Sequence, residues 1–344
     1  MLTPGRHGSG SLRIMRQATS SLVGQAAPLG GSGDTPPPRV WRRKGLARWA
    51  DSSFATITAI CGVLVLLVLA YMVISTTTTA LPAFRSQGIS FVTGTTWDPN
   101  TNQFGALAFI YGTIVTSLIA LIIGLPLSLG VALFVTDYCP KRLRQPLTYA
   151  VDLLAAVPSV IYGLWGVFVL LPLFLQPVSG FLAKAFGWFP LFKGPASGLS
   201  YFGAGIILAI MIIPIITALT REIISTVPSA DRHAAYALGA TRWEMIRAAV
   251  LPRSRAGIVG AAMLGLGRAL GETIAVALLV GSVTKVDASV VHPGYSMAAV
   301  IANTFSEATG VHIRALVGIG VVLLAMTIII NMAGRAIVWR FNRT

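Results

Sequence analysis

Six apolar stretches, each near the length that crosses a membrane, alternate with polar segments along this chain. They occupy residues 54–75, 107–135, 151–175, 202–219, 257–282 and 315–339. A membrane-spanning helix needs about 20 mostly apolar residues, so the pattern predicts an all-α membrane protein with six transmembrane helices. Prolines inside three of the stretches, Pro126, Pro158 and Pro214, predict kinks that shape the helix bundle.

The composition agrees with a polytopic membrane protein. Of the 344 residues, 55% are hydrophobic and only 11% are charged. A soluble domain carries charge on about a quarter of its residues. The mean hydropathy of +0.77 points the same way. Cys61 lies in an apolar stretch and Cys139 beside a basic loop, so the two cysteines indicate no disulfide framework.

The first 50 residues have a different character from the rest of the chain. They are rich in Gly, Ser, Pro and Arg and show no apolar periodicity, which predicts a disordered basic tail. We therefore expect two regions, a tail over residues 1–50 and a membrane domain over residues 51–344.

The distribution of Lys and Arg predicts the topology. With the N-terminus in the cytoplasm, 20 of the 26 Lys and Arg residues lie on the cytoplasmic side, five lie outside, and Arg268 lies in neither set. Positive charge is retained on the cytoplasmic side of membrane proteins, so both termini are predicted to be cytoplasmic. The net charge of +15 follows from this topology and does not indicate nucleic-acid binding.

Two charged residues lie near the middle of the fifth stretch. Arg268 and Glu272 are four residues apart, so on a continuous helix they share one face. A charge at the bilayer centre costs about 3 kcal/mol on insertion scales, and such residues mark ion pathways. Arg offers a rigid fork of donors for oxyanions, which predicts a substrate path. The alternative is a buried ion pair that only fixes helix packing.

The loop after the fourth stretch predicts two short helices with a hinge between them. Helix-favouring residues run up to Gly239, and Trp243, Ile246 and Val250 then repeat at helical spacing until Leu251-Pro252 ends the run. One interpretation is an amphipathic connector at the membrane surface. The other is a docking element for a cytoplasmic partner, over about residues 227–253.

This loop resembles the coupling loop of permease subunits of ABC importers. The family pattern is Glu-Ala-Ala, three residues, Gly, nine residues, a hydrophobic residue, any residue, and Leu-Pro. The matching residues here are Ala234, Ala235, Gly239, Leu251 and Pro252. His233 stands where the family has glutamate, and Asp231 and Glu244 are nearby acids that we expect to compensate. The resemblance implies a type I importer permease with the MetI-like fold.

The fifth stretch is similar to a narrower family. Its core, GRALGETIA, resembles both permeases of bacterial high-affinity phosphate importers, and residues 97–134 resemble the C-type permease of those systems. Sulfate and molybdate permeases carry a related core that continues Phe-Gly-Ala, whereas this chain continues Thr273-Ile274-Ala275. The resemblance implies a phosphate permease of the bacterial plasma membrane, with Arg268, Glu272 and Thr273 on the path or gate. A sulfate or molybdate permease is the alternative.

The same resemblance implies the partners. They are a paralogous A-type permease, two copies of a cytoplasmic ATPase that binds Mg-ATP, and an extracytoplasmic phosphate-binding protein. The chain has no GxxxxGK[ST] run to cradle ATP phosphates, so we expect no cofactor and no catalytic residue in this chain.

Other functional classes are weaker interpretations. An intramembrane enzyme needs a nucleophile with a base, or paired acids, at membrane depth, and no such group can be assembled from the sequence. A passive channel does not need the long coupling loop. His292 and His312 lie in the loop after the fifth stretch without a third ligand nearby, so no metal site is predicted.

Overall fold

The computed structural model describes residues 45–194 and 198–343 of the chain. Residues 1–44, most of the predicted tail, lie outside the described residues. The first helix begins at Gly45 rather than near residue 51 and runs to Gln87 (α1). The chain divides within this helix into two units, residues 1–67 and 68–344. In the first unit, every side chain from residue 51 to residue 67 is exposed, as expected of a helix surrounded by lipid.

The second unit is almost entirely helical. A short helix (α2, Ser90–Thr93) and an antiparallel pair of two-residue strands (β1, Trp97–Asp98; β2, Gln103–Phe104) follow α1. The remaining helices are α3 (Leu107–Leu133), α4 (Lys141–Ala156), α5 (Ser159–Trp165), α6 (Gln176–Phe186), α7 (Tyr201–Ser225), α8 (Ser229–Ala237), α9 (Arg242–Met245), α10 (Leu251–Leu270), α11 (Ile274–Leu279), α12 (Met297–Thr304) and α13 (Val311–Arg343). Wide π-helical turns extend α3 over Phe134–Tyr138, α5 over Gly166–Leu175 and α9 over Ile246–Val250, and a 3₁₀ turn covers Pro190–Phe192.

Five helices in the described part of the chain are long and apolar enough to cross a membrane. They span Asp51–Gln87, Leu107–Tyr138, Ser159–Phe186, Tyr201–Ser225 and Val311–Arg340. The predicted sixth transmembrane helix, over residues 257–282, is therefore not confirmed as a single spanning helix. That stretch consists of the end of α10, a non-helical segment at residues 271–273, and the six-residue helix α11.

The most buried of the five spanning helices is α7, and it packs closely against α3. Glycine makes the approach possible on both helices. A Cβ atom at Gly124 of α3 would lie 3.0 Å from the side chain of Ile212, and one at Gly205 of α7 would lie 2.5 Å from that of Ile119. Serine and threonine side chains in this interface return hydrogen bonds to backbone carbonyls, as Ser128 Oγ does to Gly124 O at 2.6 Å. Small residues and satisfied hydroxyls of this kind let helices associate in lipid.

A second break between helices precedes α7, just before the spanning helix that begins at Ser159. Helices α4 and α5 are separated at Val157-Pro158, where Val157 is extended with φ −65° and ψ 129°. The predicted stretch at 151–175 is thus two helices with the break at its proline. The predicted kinks at Pro126 and Pro214 differ, because both prolines lie inside helices that continue past them.

The two breaks lie at a similar level of the bundle, near the middle of α7. A Cβ at Gly163, in the first turns of α5, would lie 3.0 Å from the Cα of Ala275 in α11. One at Gly166 would lie 3.4 Å from Ile207 of α7, and one at Gly265 of α10 would lie 2.6 Å from Ile216 of α7. Helix α5 and the interrupted pair α10–α11 therefore meet at the depth where α7 passes between Ile207 and Ile216.

Substituting Gly112 with Ala tests the packing at the other end of α3. The new Cβ would lie 1.9 Å from the backbone oxygen of Tyr295 and 2.9 Å from the Tyr201 ring, so a rigid backbone must shift. We expect a loss of about 1–3 kcal/mol, measured as a lower midpoint of thermal unfolding in detergent. Gly130→Ala, in the same helix with nothing within 4 Å, is the control and should match the unsubstituted chain. Equal midpoints for both variants would show that this contact is absent.

Candidate functional site

The predicted path residues lie at the break between α10 and α11. Arg268 is in the last turn of α10, which ends at Leu270, whereas Glu272 and Thr273 follow in the non-helical segment. The prediction that Arg268 and Glu272 share one helix face is therefore wrong, because the helix ends between them. No ion pair joins the two side chains in the described part of the chain.

The surroundings of these residues are open on one side. In the single chain, Arg268 and Gly271 are exposed, and Glu272 and Thr273 are half-buried. The Thr273 hydroxyl donates to Gly271 O at 3.3 Å, and the Glu272 amide donates to Ala269 O at 3.4 Å. A guanidinium without an acidic partner, on an open face beside an interrupted helix, leaves all its donors available to an anion.

A groove runs along α10 on the side of this open face. It lies between α10 and α13, has a volume of about 730 Å³, and is lined by Met263, Leu264, Ile328, Asn331 and Arg335 among others. Its wall is mostly apolar. The Asn331 side chain also approaches Gly267, since a Cβ there would lie 4.0 Å from Asn331 Oδ1. The groove thus reaches the helical turn that carries Arg268.

The predicted coupling loop has the hinge that the sequence indicated. Helix α8 ends at Ala237, Gly239 adopts φ +83°, and α9 starts at Arg242. The left-handed conformation at Gly239 is the one that glycine adopts at little cost. Thr241 caps α9: the Glu244 amide donates to its hydroxyl, and the Glu244 carboxylate accepts from the Thr241 amide at 2.8 Å. The Thr241 amide, and after it the Thr241 hydroxyl, donate to the Glu244 carboxylate and hold the pKa of Glu244 below its ordinary value.

The second half of the coupling loop differs from the prediction that a helix ends at Leu251-Pro252. Leu251-Pro252 does not end a helix. The backbone stays helical from α9 through the π turn at Ile246–Val250 into α10, and Pro252 lies directly after this π turn. The coupling loop and the helix that carries Arg268 are thus one continuous rod from Arg242 to Leu270.

A small hydrophobic cluster holds this rod and α8 to the end of α3. It contains Met245, Ile246 and Val250 of the rod, Ile224 and Val227 at the end of α7, and Ala132 and Leu133 of α3. Ala235 of α8 packs against it half-buried. The tip of the loop, by contrast, is exposed. It consists of His233, Ala234, Tyr236, Leu238 and Trp243, of which Leu238 is 89% exposed. An apolar tip on a well-anchored base is typical of a docking surface.

An ion pair that the sequence analysis did not identify anchors α8. Arg232 pairs with Asp137, in the π turn at the end of α3, and also donates to Ile224 O at 3.1 Å. The two side chains are only 19% and 6% exposed. The partners are 95 residues apart, and the one available signal was that Asp137 is the only acid near the basic loop after α3.

The acids expected to compensate for His233 are engaged within the chain. Asp231 pairs with Arg253 at 3.4 Å on an exposed surface, and Glu244 caps α9. In the described residues neither carboxylate contacts His233, which occupies the position of the family's glutamate. His233, Ala234, Ala235, Gly239, Leu251 and Pro252 stay predicted coupling residues.

The two histidines that follow the fifth stretch contact neighbouring side chains; His292 lies in a loop and His312 in the first turn of α13. His292 Nδ1 lies 2.6 Å from Asp287 Oδ2, and the Ser289 amide donates to the same carboxylate. Both contacts, the Ser289 amide first, lower the pKa of Asp287. The His312 ring stacks on Phe104 with centroids 5.7 Å apart. No group of three His, Cys, Asp or Glu side chains able to hold a metal occurs in residues 45–194 and 198–343.

The sequence is similar to one protein family and to named members of it. Residues 124–343 match the model of the family described as binding-protein-dependent transport system inner membrane component. The chain is 42% identical over 297 residues to the phosphate transport system permease protein PstC of Mesorhizobium japonicum, covering 85% of this chain and 91% of that protein. It is 43% identical over 298 residues to the protein of the same name in Xylella fastidiosa, covering 86% and 92%.

Solved structures show the same fold at low sequence identity. A chain of a bacterial ABC transporter for import of the acidic polysaccharide alginate aligns with a TM-score of 0.56 and 19% identity, over 85% of this chain and 99% of that one. A chain of the inward-facing MetNI methionine ABC transporter aligns with a TM-score of 0.51 and 17% identity, over 72% and 99%. The predicted all-helical, MetI-like importer fold is confirmed.

Asp137→Asn tests the anchoring of α8. It leaves the Arg232 charge largely buried without its partner, and removing one member of a buried pair costs about 3–5 kcal/mol. We expect faster limited proteolysis within residues 226–241 in membrane vesicles, and slower proteolysis again when Arg232→Gln is added. Asp231→Asn is the matched control, because its pair with Arg253 is exposed and contributes about 0–1 kcal/mol. Equal proteolysis of the two single variants would contradict this role.

Proposed function

The chain belongs to the family of binding-protein-dependent transport system inner membrane components, and from this premise we propose that it is the permease subunit of an ATP-driven importer of inorganic phosphate. It acts in the bacterial plasma membrane as one half of the translocation path. The main support for phosphate as the substrate is sequence similarity. The chain is 42–43% identical, over nearly the whole length of the relatives, to permeases named for phosphate transport.

The chemistry of the break between α10 and α11 supports an oxyanion substrate. Arg268 carries a full charge with no acidic partner in the described part of the chain. Its planar fork matches two oxygens of a tetrahedral anion, and charge-assisted bonds of this type are about twice as strong as neutral ones. Glu272, two residues beyond the end of α10, favours an anion that still carries a proton, because phosphate can donate to a carboxylate and sulfate cannot. Sulfate or molybdate remains the alternative substrate.

The interrupted α10–α11 pair supplies the sixth crossing in this proposal. Five spanning helices alone would place the two termini on opposite sides of the membrane. With α10 and α11 counted as one interrupted crossing, both termini lie in the cytoplasm, as the distribution of Lys and Arg predicts. Interrupted helices are tolerated at membrane depth where they line a path, and transporters bind their substrates at such places.

Two exposed surfaces, the open face beside Arg268 and the tip around Leu238, support the partners in this proposal. A paralogous A-type permease covers the open face beside Arg268 and completes the path. Two copies of a cytoplasmic ATPase bind Mg-ATP, and one of them receives the tip around Leu238. An extracytoplasmic phosphate-binding protein delivers the ion to the opposite side. Solved relatives include an alginate transporter in complex with its periplasmic protein, which supports a partner of this kind.

Arg268→Gln is the first test of this function. Loss of the charged fork removes about 1.5–3 kcal/mol of interaction with the anion, so phosphate uptake should fall by roughly ten- to a hundredfold at equal membrane levels of the protein. Uptake of labelled phosphate by cells that lack other phosphate importers measures the effect. Arg340→Gln, an exposed arginine near the end of α13, is the control. Full uptake by Arg268→Gln would exclude Arg268 from the path.

Cysteine substitutions test the coupling surface and the topology together. In a chain without Cys61 and Cys139, Leu238→Cys should cross-link to the ATPase and react with thiol reagents only from the cytoplasmic side. Val286→Cys, exposed in the loop before α12, should react only from the outside. Labelling of both positions from the same side would contradict the proposed topology, and failure of Leu238→Cys to cross-link would contradict the docking surface.

A further inference from the structure

The groove between α10 and α13 has the depth of one membrane leaflet. Its inner end is at Asn331, which approaches Gly267, one residue before Arg268 and near the bilayer centre. A helix rises about 1.5 Å per residue, so α13 descends about 12 Å from Asn331 to Trp339. The hydrocarbon of one leaflet is about 15 Å deep. In the topology proposed above, the groove therefore runs from the depth of Arg268 to the cytoplasmic headgroups.

The lining of the groove changes from apolar to basic toward the cytoplasm. Leu264, Ile328 and Met332 are exposed apolar side chains in its deeper part. Arg335 and Trp339 line the part nearer the cytoplasm, and both are exposed. An arginine at this depth extends its long side chain toward the headgroups, and tryptophan is enriched at the membrane surface. The groove thus has the polarity of a phospholipid, which is apolar along its chains and charged at the interface.

Two glycines shape the groove. Gly260 lines its wall, and a Cβ atom there would meet nothing within 4 Å. Gly334 lies where the two helices touch, since a Cβ atom there would be 2.5 Å from the Met263 side chain. The resulting volume of about 730 Å³ is within the range of about 300–1,000 Å³ that is usual for ligand sites. The space is therefore large enough for part of a lipid.

The exposure of α13 favours a lipid over a helix of another subunit. Between residues 315 and 327 only Ala325 is exposed, whereas nine of the twelve residues from 328 to 339 are exposed. A partner helix that packs along α13 across the whole membrane would need an exposed strip through both leaflets. The strip on α13 stops near the bilayer centre, which is the depth that one acyl chain reaches.

We propose that this groove binds one anionic phospholipid of the cytoplasmic leaflet. The lipid phosphate contacts the Arg335 guanidinium, whose planar fork fits phosphate oxygens, and basic sites between membrane helices bind anionic headgroups in this way. One acyl chain lies along the groove up to Ile328. The lipid stays below Arg268 and leaves the face beside that residue to the paralogous permease. This inference rests on the topology of the proposed function and is independent of the transported ion.

Photo-cross-linking identifies the occupant of the groove. The probe is phosphatidylglycerol with a photoreactive group in one acyl chain, added to the complex that co-purifies with the tagged chain in phosphatidylcholine nanodiscs. We expect cross-linked peptides from residues 256–264 and 328–339, at several-fold higher yield than from residues 51–67, where every side chain is exposed. Equal yields from these regions would indicate only the general lipid belt. No cross-link in the groove would mean that another subunit fills it, and either result would overturn the proposal.

Gly260→Leu tests the shape of the site. The leucine side chain enters the open groove without a clash at its Cβ atom, so it should displace the acyl chain. We expect the yield of groove cross-links to fall at least fivefold. Gly130→Leu in α3, which also has nothing within 4 Å of its Cβ position, is the matched control and should keep the full yield. Equal yields from the two variants would contradict a lipid in this groove.

Arg335→Gln tests the charge of the site. One cation near the membrane surface strengthens binding of an anionic lipid by about fivefold. In competition with the probe, the advantage of unlabelled phosphatidylglycerol over phosphatidylcholine should therefore fall about fivefold. Arg142→Gln, at an exposed arginine in the first turn of α4, is the matched control and should keep this preference. An unchanged preference in Arg335→Gln would overturn the assignment of an anionic lipid.

Thermal unfolding of the complex gives a second readout. A ligand that binds the folded state raises the midpoint of unfolding. Phosphatidylglycerol should raise the midpoint more than phosphatidylcholine, and Gly260→Leu and Arg335→Gln should each remove this difference. An equal difference in all three complexes would overturn the proposal. Neither readout requires phosphate, so a failure of the proposed substrate leaves both unaffected, whereas labelling of Leu238→Cys from the outside would refute the topology.

Discussion

The hydrocarbon core of a membrane contains no water to satisfy backbone groups, and this constraint shapes the structure around Arg268. A helix can be interrupted at that depth only where side chains or neighbouring helices satisfy the freed groups. The chain has a break at Val157-Pro158, just before a spanning helix, and another at residues 271–273, and the helices α5 and α11 that follow them are in contact. Their close approach is possible because Gly163 and Gly166 have no side chains. The break at residues 271–273 leaves Arg268 at the end of α10, without an acidic partner in the described part of the chain.

A continuous helix connects the coupling loop to Arg268, so that movement of the loop reaches this residue. Because the backbone stays helical from Arg242 to Leu270, a displacement of the coupling loop moves the turn that carries Arg268 without an intervening flexible segment. The ion pair between Arg232 and Asp137 ties the other arm of the loop to α3. The hinge at Gly239 lies between these two arms. An ATPase that pushes on the tip therefore acts on two different membrane helices.

Structural features that depend on a local sequence pattern could be predicted from the sequence. Apolar stretches gave the spanning helices, and Gly239 gave the hinge, because the left-handed conformation there favours glycine. Features that depend on tertiary contacts could not be predicted from the sequence. Residues 257–282 are apolar enough, despite Arg268 and Glu272, to predict one continuous span, and the helix end at Leu270 was therefore missed although Gly271 follows it. Leu251-Pro252 was interpreted as a stop, but the backbone stays helical past it, with Pro252 directly after a π turn. The Arg232–Asp137 pair joins segments 95 residues apart, beyond the reach of any periodicity.

The central claim is that phosphate passes through the gap between α10 and α11 beside Arg268. The most direct measurement is protection of Thr273→Cys, in a chain without Cys61 and Cys139, against a membrane-impermeant thiol reagent in the reconstituted complex. The account predicts that phosphate slows the labelling, that sulfate does so far less, and that Arg268→Gln abolishes the protection. A labelling rate that phosphate leaves unchanged, in a complex that still imports phosphate, would contradict it.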